Sequence, residues 1–298
     1  MDNPDFRIIY LFTDLLAPLI VGCLLYRHGK ISDALISRIL RLNVIIIYTV
    51  LALMSCWTLP ISWDLALIPI YGILIVLVPG VVGWAFFIRK YRSPLDRGAY
   101  LANAMMSNIT TVGGVCAYII YGEQGFAYAQ IMGIFQTLLL VLAVFPMAQY
   151  YYLQYKNHGS GGKIHMRFLD IFLSWNQLSI LGMAAGLALN AAGIERPPAV
   201  GTAFEGLIHF GAWFGMLPVG ALVNLHRARR YAPYTLDLFA LRFLILPAFM
   251  MAISYPFVRD PILLGAILVF SVTPGAINSV TAAKLYRLNV DYTISGFL

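Results

Sequence analysis

Ser271-Val272-Thr273-Pro274-Gly275-Ala276-Ile277-Asn278-Ser279-Val280-Thr281 is a polar, proline-broken stretch inside an otherwise apolar run, Ile262–Tyr286. Proline removes an amide donor and clashes with the preceding helical turn, and the glycine beside it makes helix propagation costly. A second apolar run, Gly98–Tyr121, carries a comparable interruption: Asn103-Ala104-Met105-Met106-Ser107-Asn108-Ile109-Thr110-Thr111-Val112-Gly113-Gly114. Each run is long enough to cross a hydrocarbon core of about 30 Å at about 1.5 Å per residue. Asn108 lies 11 residues beyond Arg97, roughly 16 Å of helix, and Pro274 lies 14 beyond Asp260, roughly 21 Å. Both interruptions therefore fall near mid-bilayer, the first expected at its glycine pair and the second at its proline. Broken backbone at that depth has to be buried in protein or line a wet cavity, because unsatisfied amides in lipid are too costly.

The rest of the chain is of the same kind. Its 298 residues are 60% hydrophobic and only 11% charged, with a mean hydropathy of +0.79, more apolar surface than one water-soluble globule hides. Apolar runs bounded by charged and turn-forming residues predict helices near Ile8–Tyr26, Ile39–Trp57, Leu65–Ile88, Gly98–Tyr121, Phe126–Tyr152, Phe168–Ala192, Val200–Leu225, Leu236–Phe257 and Ile262–Tyr286. No small-residue cleavage site follows the first run, and Asp2 and Asp5 precede Arg7, so that run reads as a retained helix rather than a signal peptide. Cys23, Cys56 and Cys116 fall in or at the ends of apolar runs and read as small packing residues.

The net charge of +7 is distributed by loop. With nine alternating helices, 17 of the 20 Lys and Arg residues fall on one side, Arg242 counted there with the loop cations that follow the seventh helix. Only Arg7, Arg196 and Arg259 fall on the other. This asymmetry places the basic loops in the cytoplasm and the N-terminus outside it, in the inner or plasma membrane. Nucleic-acid binding is a poor reading of short loops that emerge directly from membrane helices.

After the ninth run the chain reads Leu288-Asn289-Val290-Asp291-Tyr292-Thr293-Ile294-Ser295-Gly296-Phe297-Leu298, the start of a tenth run too short to cross. The expected fold is an all-α polytopic membrane protein: ten helices as five plus five, with the tenth largely missing from this chain. An odd number per half inverts the second half, an arrangement recurrent in secondary transporters. The repeats are residues 1–156 and 164–298, joined by a Gly/Ser-rich linker over residues 157–163. In that arrangement the fourth and ninth helices are equivalents that cross as broken helices. Their half-helix N-termini would offer amides and positive dipole ends to an anion. Asn108 and Asn278 are the candidate donors. Thr110, Thr111 and Gly113 beside the first, with Thr273, Pro274, Gly275 and Ala276 beside the second, complete the candidate substrate-binding set. Polar and small residues also tie membrane helices together, so a packing role stands beside the binding role.

With these segments in view, the chain resembles the auxin efflux carrier family over nearly its whole length. The resemblance rests on Pro18 and Gly22 leading to Tyr26-Arg27-His28-Gly29-Lys30-Ile31-Ser32, on Asn108 and Gly113 followed by Tyr121-Gly122-Glu123-Gln124-Gly125, and on Pro197-Pro198 and Leu217-Pro218-Val219-Gly220. It continues in Thr273-Pro274-Gly275-Ala276-Ile277-Asn278, running into Ala283-Lys284-Leu285-Tyr286. It implies ten helices in two inverted repeats, crossing broken helices four and nine, and alternating-access efflux of organic anions such as carboxylates. Asn108, Gly113, Pro274, Ala276 and Asn278 match its crossover motifs. The family commonly places a proline shortly after the fourth-helix glycine; here Gly113-Gly114-Val115-Cys116-Ala117 has none. The bile acid:sodium symporters share the general plan and give the alternative, a sodium-coupled organic anion symporter; a channel or sensor derived from the fold is another.

Charges inside membrane spans default to functional candidates. Asp14 in the first helix, and Glu205 with His209 four residues apart on one face of the seventh, are the coupling candidates. No zinc, P-loop or nucleophile-elbow signature marks an intramembrane enzyme. The expectation is a non-enzyme without cofactor or metal, with proton or sodium as the open choices of coupling ion. Its expected partners are a small organic anion and the lipid bilayer, not nucleic acid, with a homodimer left open. Single cysteines at Ser160 and Glu195 in a cysteine-free background are expected to label from opposite sides of the membrane with an impermeant maleimide; labelling of both from outside breaks the alternation.

Overall fold

The computed structural model describes residues 9–156, 178–222, 231 and 235–297, and every regular element among them is helical. A π-turn, Leu11–Leu16, leads into α1 (Ala17–Arg27). There follow α2 (Asp33–Trp57), α3 (Trp63–Lys90), α4 (Pro94–Met105) and α5 (Ile109–Lys156). Beyond these come α6 (Leu178–Ala191), α7 (Pro198–Leu222), α8 (Leu236–Ser254), α9 (Pro261–Ser271), α10 (Ile277–Leu285) and α11 (Val290–Phe297). Four helices, α2, α3, α5 and α8, are long and apolar enough to cross a membrane, and α6 and α9 are shorter apolar helices. The expected linker over residues 157–163 and the expected start of the sixth helix lie outside the described residues.

Local sequence explains several boundaries. Ser32 caps α2 by accepting the Leu35 amide at 3.3 Å, and Ser93 and Asp260 cap α4 and α9 by accepting the Leu95 and Ile262 amides. In both of the latter a proline follows the cap, where its missing donor and preset φ suit a first helical turn. Within α5, Gly122 takes φ 69°, which a side chain would resist. The two arms of α5 on either side of it pack together, Gly114 lying against Phe126 and Ala129.

The chain divides into two compact units, each built from segments of both halves. The first comprises Met1–Ala66, Thr110–Ile131 and Phe172–Val223; the second comprises Leu67–Ile109, Met132–Ile171 and Asn224–Leu298. The core of the first gathers Leu51, Phe126, Phe204, Ile208 and Ala212. The core of the second gathers Tyr100, Leu101, Leu241, Ala283 and Tyr292.

Helices of the first unit meet at backbone distance. A Cβ on Gly22 of α1 would lie 2.0 Å from the Leu217 carbonyl of α7, and one on Gly220 of α7 would lie 2.1 Å from the Leu19 carbonyl. The pair α2 and α6 is made in the same way, with Gly182 against the Thr49 carbonyl and Gly186 against that of Leu53. Asn190 extends this seam by donating to the Leu59 carbonyl at 2.5 Å. Small residues that let backbones approach are the usual means of packing helices where no hydrophobic force separates helix from lipid. Gly182→Ala is expected to lower stability by about 1–3 kcal/mol through overpacking, read as a fall in melting temperature in detergent. Gly206→Ala, where an added Cβ meets nothing within 4 Å, is expected to leave melting unchanged or slightly raised.

Candidate functional site

The two interrupted segments meet within the second unit. Helix α4 ends at Met105, Met106 turns to an extended conformation (φ −98°, ψ 109°), and helix resumes at Ile109. Helix α9 ends at Ser271, residues 272–276 are non-helical, and α10 begins at Ile277. The two extended stretches pair as an antiparallel bridge between Ser107 and Gly275. The Asn108 amide donates to the Pro274 carbonyl and the Ala276 amide to the Met106 carbonyl, both at 2.9 Å. Each break thus supplies the partners that the other lost.

The break in α9–α10 lies at the proline, as its sequence predicts. The break before α5 does not lie at Gly113-Gly114. It comes at Met106–Asn108, and Gly113 closes a π-helical turn, Ile109–Gly113, that runs on into helix. The cause is tertiary: an extended backbone at residues 106–108 gains two hydrogen bonds from the facing strand-like segment, whereas glycine lowers the cost of a break without supplying partners for it.

A buried arginine organises the surrounding carbonyls. Arg242 of α8 is 1% exposed, and its five N–H groups are matched by five bonds to neutral oxygens. Nε donates to the Asn103 carbonyl at 3.1 Å, and Nη2 to those of Asn103 at 2.5 Å and Ala104 at 3.0 Å. Nη1 donates to the Ser107 hydroxyl at 2.6 Å and the Thr273 carbonyl at 3.4 Å. The last carbonyls of a helix have no partner within it and carry its negative dipole end, so a cation there is doubly favoured. Arg242 is therefore no loop residue, as the charge pattern had it; the planar fork of guanidinium donors lets it serve two broken helices at once.

The other polar groups of the crossover mostly hold it together. Asn103 accepts from the Ser279 hydroxyl at 2.7 Å and donates to the Thr293 carbonyl at 3.0 Å. Gln136 donates to the Ser107 carbonyl at 2.5 Å. None of Asn103, Ser107, Gln136 and Arg242 stands out as a site residue in the sequence. Asn103 and Ser107 lie within the polar interruption, and for Arg242 the available signal was a charge six residues inside the apolar run that begins at Leu236.

Of the sequence candidates, Asn108, Thr273, Pro274, Gly275, Ala276 and Asn278 belong to the second unit, while Thr110, Thr111 and Gly113 belong to the first. Asn108 is 5% exposed, and its Nδ2 has no hydrogen-bond partner among the described residues. Thr273 turns its hydroxyl back onto the Phe270 carbonyl. Asn278 is half-buried in the first turn of α10, whose N-cap Ala276 provides no side-chain cap. The two asparagines are not in register: Asn108 adjoins the bridge residue Ser107, and Asn278 lies three beyond Gly275, a position matched by Thr110. In the first unit the Thr110 carbonyl accepts from Gln130 at 3.4 Å.

The coupling candidates rearrange. His209 of α7 does not bond Glu205, which is exposed; its Nδ1 lies 2.5 Å from Oδ2 of Asp14, in the π-turn before α1. Asp14 is buried and meets the ring, while Glu205, four residues away on the same helix, is exposed. No group of His, Cys, Asp and Glu that could hold a metal occurs among the described residues.

Arg242→Met, which leaves the crossover carbonyls buried without donors, is expected to lower the melting temperature sharply, each orphaned group costing about 1–3 kcal/mol. Arg242→Lys, with three donors and the charge kept, is expected to melt between the two; a lysine variant as stable as the wild type would show that the fork geometry is not required. No protein-family model matches the chain, and no curated protein matches it.

Proposed function

We propose that the chain is a secondary carrier of small organic anions that binds its substrate at the crossover and works by alternating access. The observation that carries this reading is a fully buried guanidinium beside two broken helices, bonded to neutral oxygens. Its charge adds a positive field at a place where α10 also presents the uncapped positive end of its dipole. Because its N–H groups are engaged, Arg242 acts on an anion through that field, and direct contact falls to others. Asn108 Nδ2, buried and unpartnered, is the first of these; Asn278 and the leading amides of α10 are the next.

The ten-helix inverted repeat and the kinship with auxin efflux carriers belong to the same proposal. In an inverted repeat the sixth and seventh helices are the equivalents of the first and second, so a seam between one and seven requires a like seam between six and two. The glycine-to-carbonyl contacts of α1 with α7 and of α6 with α2 have this form. Likewise α4 and α9 both start at a capped proline and run 12 and 11 residues before breaking.

A thermal-shift screen of the purified chain against small mono- and dicarboxylates is expected to identify a stabilising ligand by mass action. For that ligand, Asn108→Ala is expected to weaken affinity by about tenfold to over a hundredfold, the worth of a hydrogen bond to a charged group of about 1.5–3 kcal/mol. Asn278→Ala is expected to act in the same direction. Unchanged affinity with lowered melting in both variants would leave the asparagines as packing residues and remove the crossover as the site.

A further inference from the structure

The first compact unit holds a buried carboxylate that the crossover does not use. Asp14 is 5% exposed. Its Oδ2 lies 2.5 Å from His209 Nδ1, and the Thr13 hydroxyl donates to its Oδ1 at 3.4 Å. The residue sits in a π-turn, a local widening of the helix that often re-aims side chains at functional positions. The histidine is the more open partner, its side chain 29% exposed against 7% for the aspartate, and Tyr10 stacks on its ring at 4.7 Å.

Charge balance sets what the pair does. With a neutral ring donating from Nδ1, the couple carries one negative charge in a poorly hydrated place; with one more proton it is neutral overall. Burying an uncompensated charge costs several kcal/mol, a cost that the added proton removes. Tyr118 lies within electrostatic reach of Tyr10, Asp14, Glu123 and Glu205. Of these, Glu123 is matched by a two-pronged ion pair with Arg196, and Glu205 is exposed. The apolar stretches that flank the pair, residues 15–25 and 43–53, contribute no charged side chain.

We infer that Asp14 and His209 form a proton-binding site in the first compact unit, separate from the crossover, which takes up one proton through the exposed edge of the histidine ring. The two residues share that proton across the bond between Oδ2 and Nδ1. On the carrier reading given above, which this last step rests on, it is the point at which a proton enters the transport cycle; the site itself stands without that reading.

Melting of the purified full chain between about pH 5 and pH 8, the range in which histidine changes charge, tests the site with no substrate present. The wild type is expected to melt higher at the acid end, where the couple is neutral, and lower as the pH rises and the carboxylate loses its countercharge. The double variant Asp14→Asn/His209→Gln keeps a neutral hydrogen bond and is expected to lose this pH dependence, while Glu205→Gln keeps it. A double variant that follows the wild-type curve, or a wild type with no such dependence, overturns the site. Infrared pH-difference spectra of the wild type give a readout that does not depend on the variants folding. Imidazole and carboxyl bands are expected to change together, and a histidine change with no accompanying carboxyl change would overturn the shared proton.

Discussion

Every amide and carbonyl in an apolar surrounding has to find its partner inside the protein, and at residues 106–108 and 274–276 the chain meets that demand outside a helix. Two segments far apart in sequence leave helical conformation together and exchange backbone hydrogen bonds. Neither break is affordable alone, since each would strand carbonyls at a helix C-terminus and amides at the following N-terminus. Arg242 takes up the carbonyl side of that account, and the unpaired Nδ2 of Asn108 leaves a donor on the other.

From that constraint follows the division of labour among the polar residues. Asn103, Ser107, Gln136, Ser279 and Thr293 bond one another, Arg242 or backbone, so their contribution is to fix the geometry of the crossover. A buried, satisfied network rigidifies what it joins. Against that rigid frame, the groups left with free capacity are few, which is why the proposed anion contacts reduce to an asparagine, a helix terminus and the field of one guanidinium.

The first unit solves a different problem. Its helices approach through glycine against carbonyl, a contact that depends on the absence of a side chain and tolerates no larger residue. Its charged groups include two couples, Glu123 with Arg196 and Asp14 with His209. Arginine keeps its charge at any ordinary pH, so the first couple reads as a fixed tie, and the second is the one proposed to take up a proton.

Apolar run lengths and the proline-glycine interruption at Pro274 were legible in the sequence because each acts through local covalent geometry. Helical character, several boundaries and the second break follow from them. Residues that meet across long separations were not legible in this way. The first break lies at Met106–Asn108 rather than at the glycine pair because its partner is a backbone some 170 residues away; a charge six residues into an apolar run looks like a loop cation until the carbonyls it satisfies are brought to it. Asp14 and His209, 195 residues apart, show the same limit: spacing along one helix pointed to Glu205, and packing supplied Asp14. Local rules set where a helix can start or fail, but the partner of a buried polar group is chosen by desolvation and distance, and these are properties of the packed chain alone.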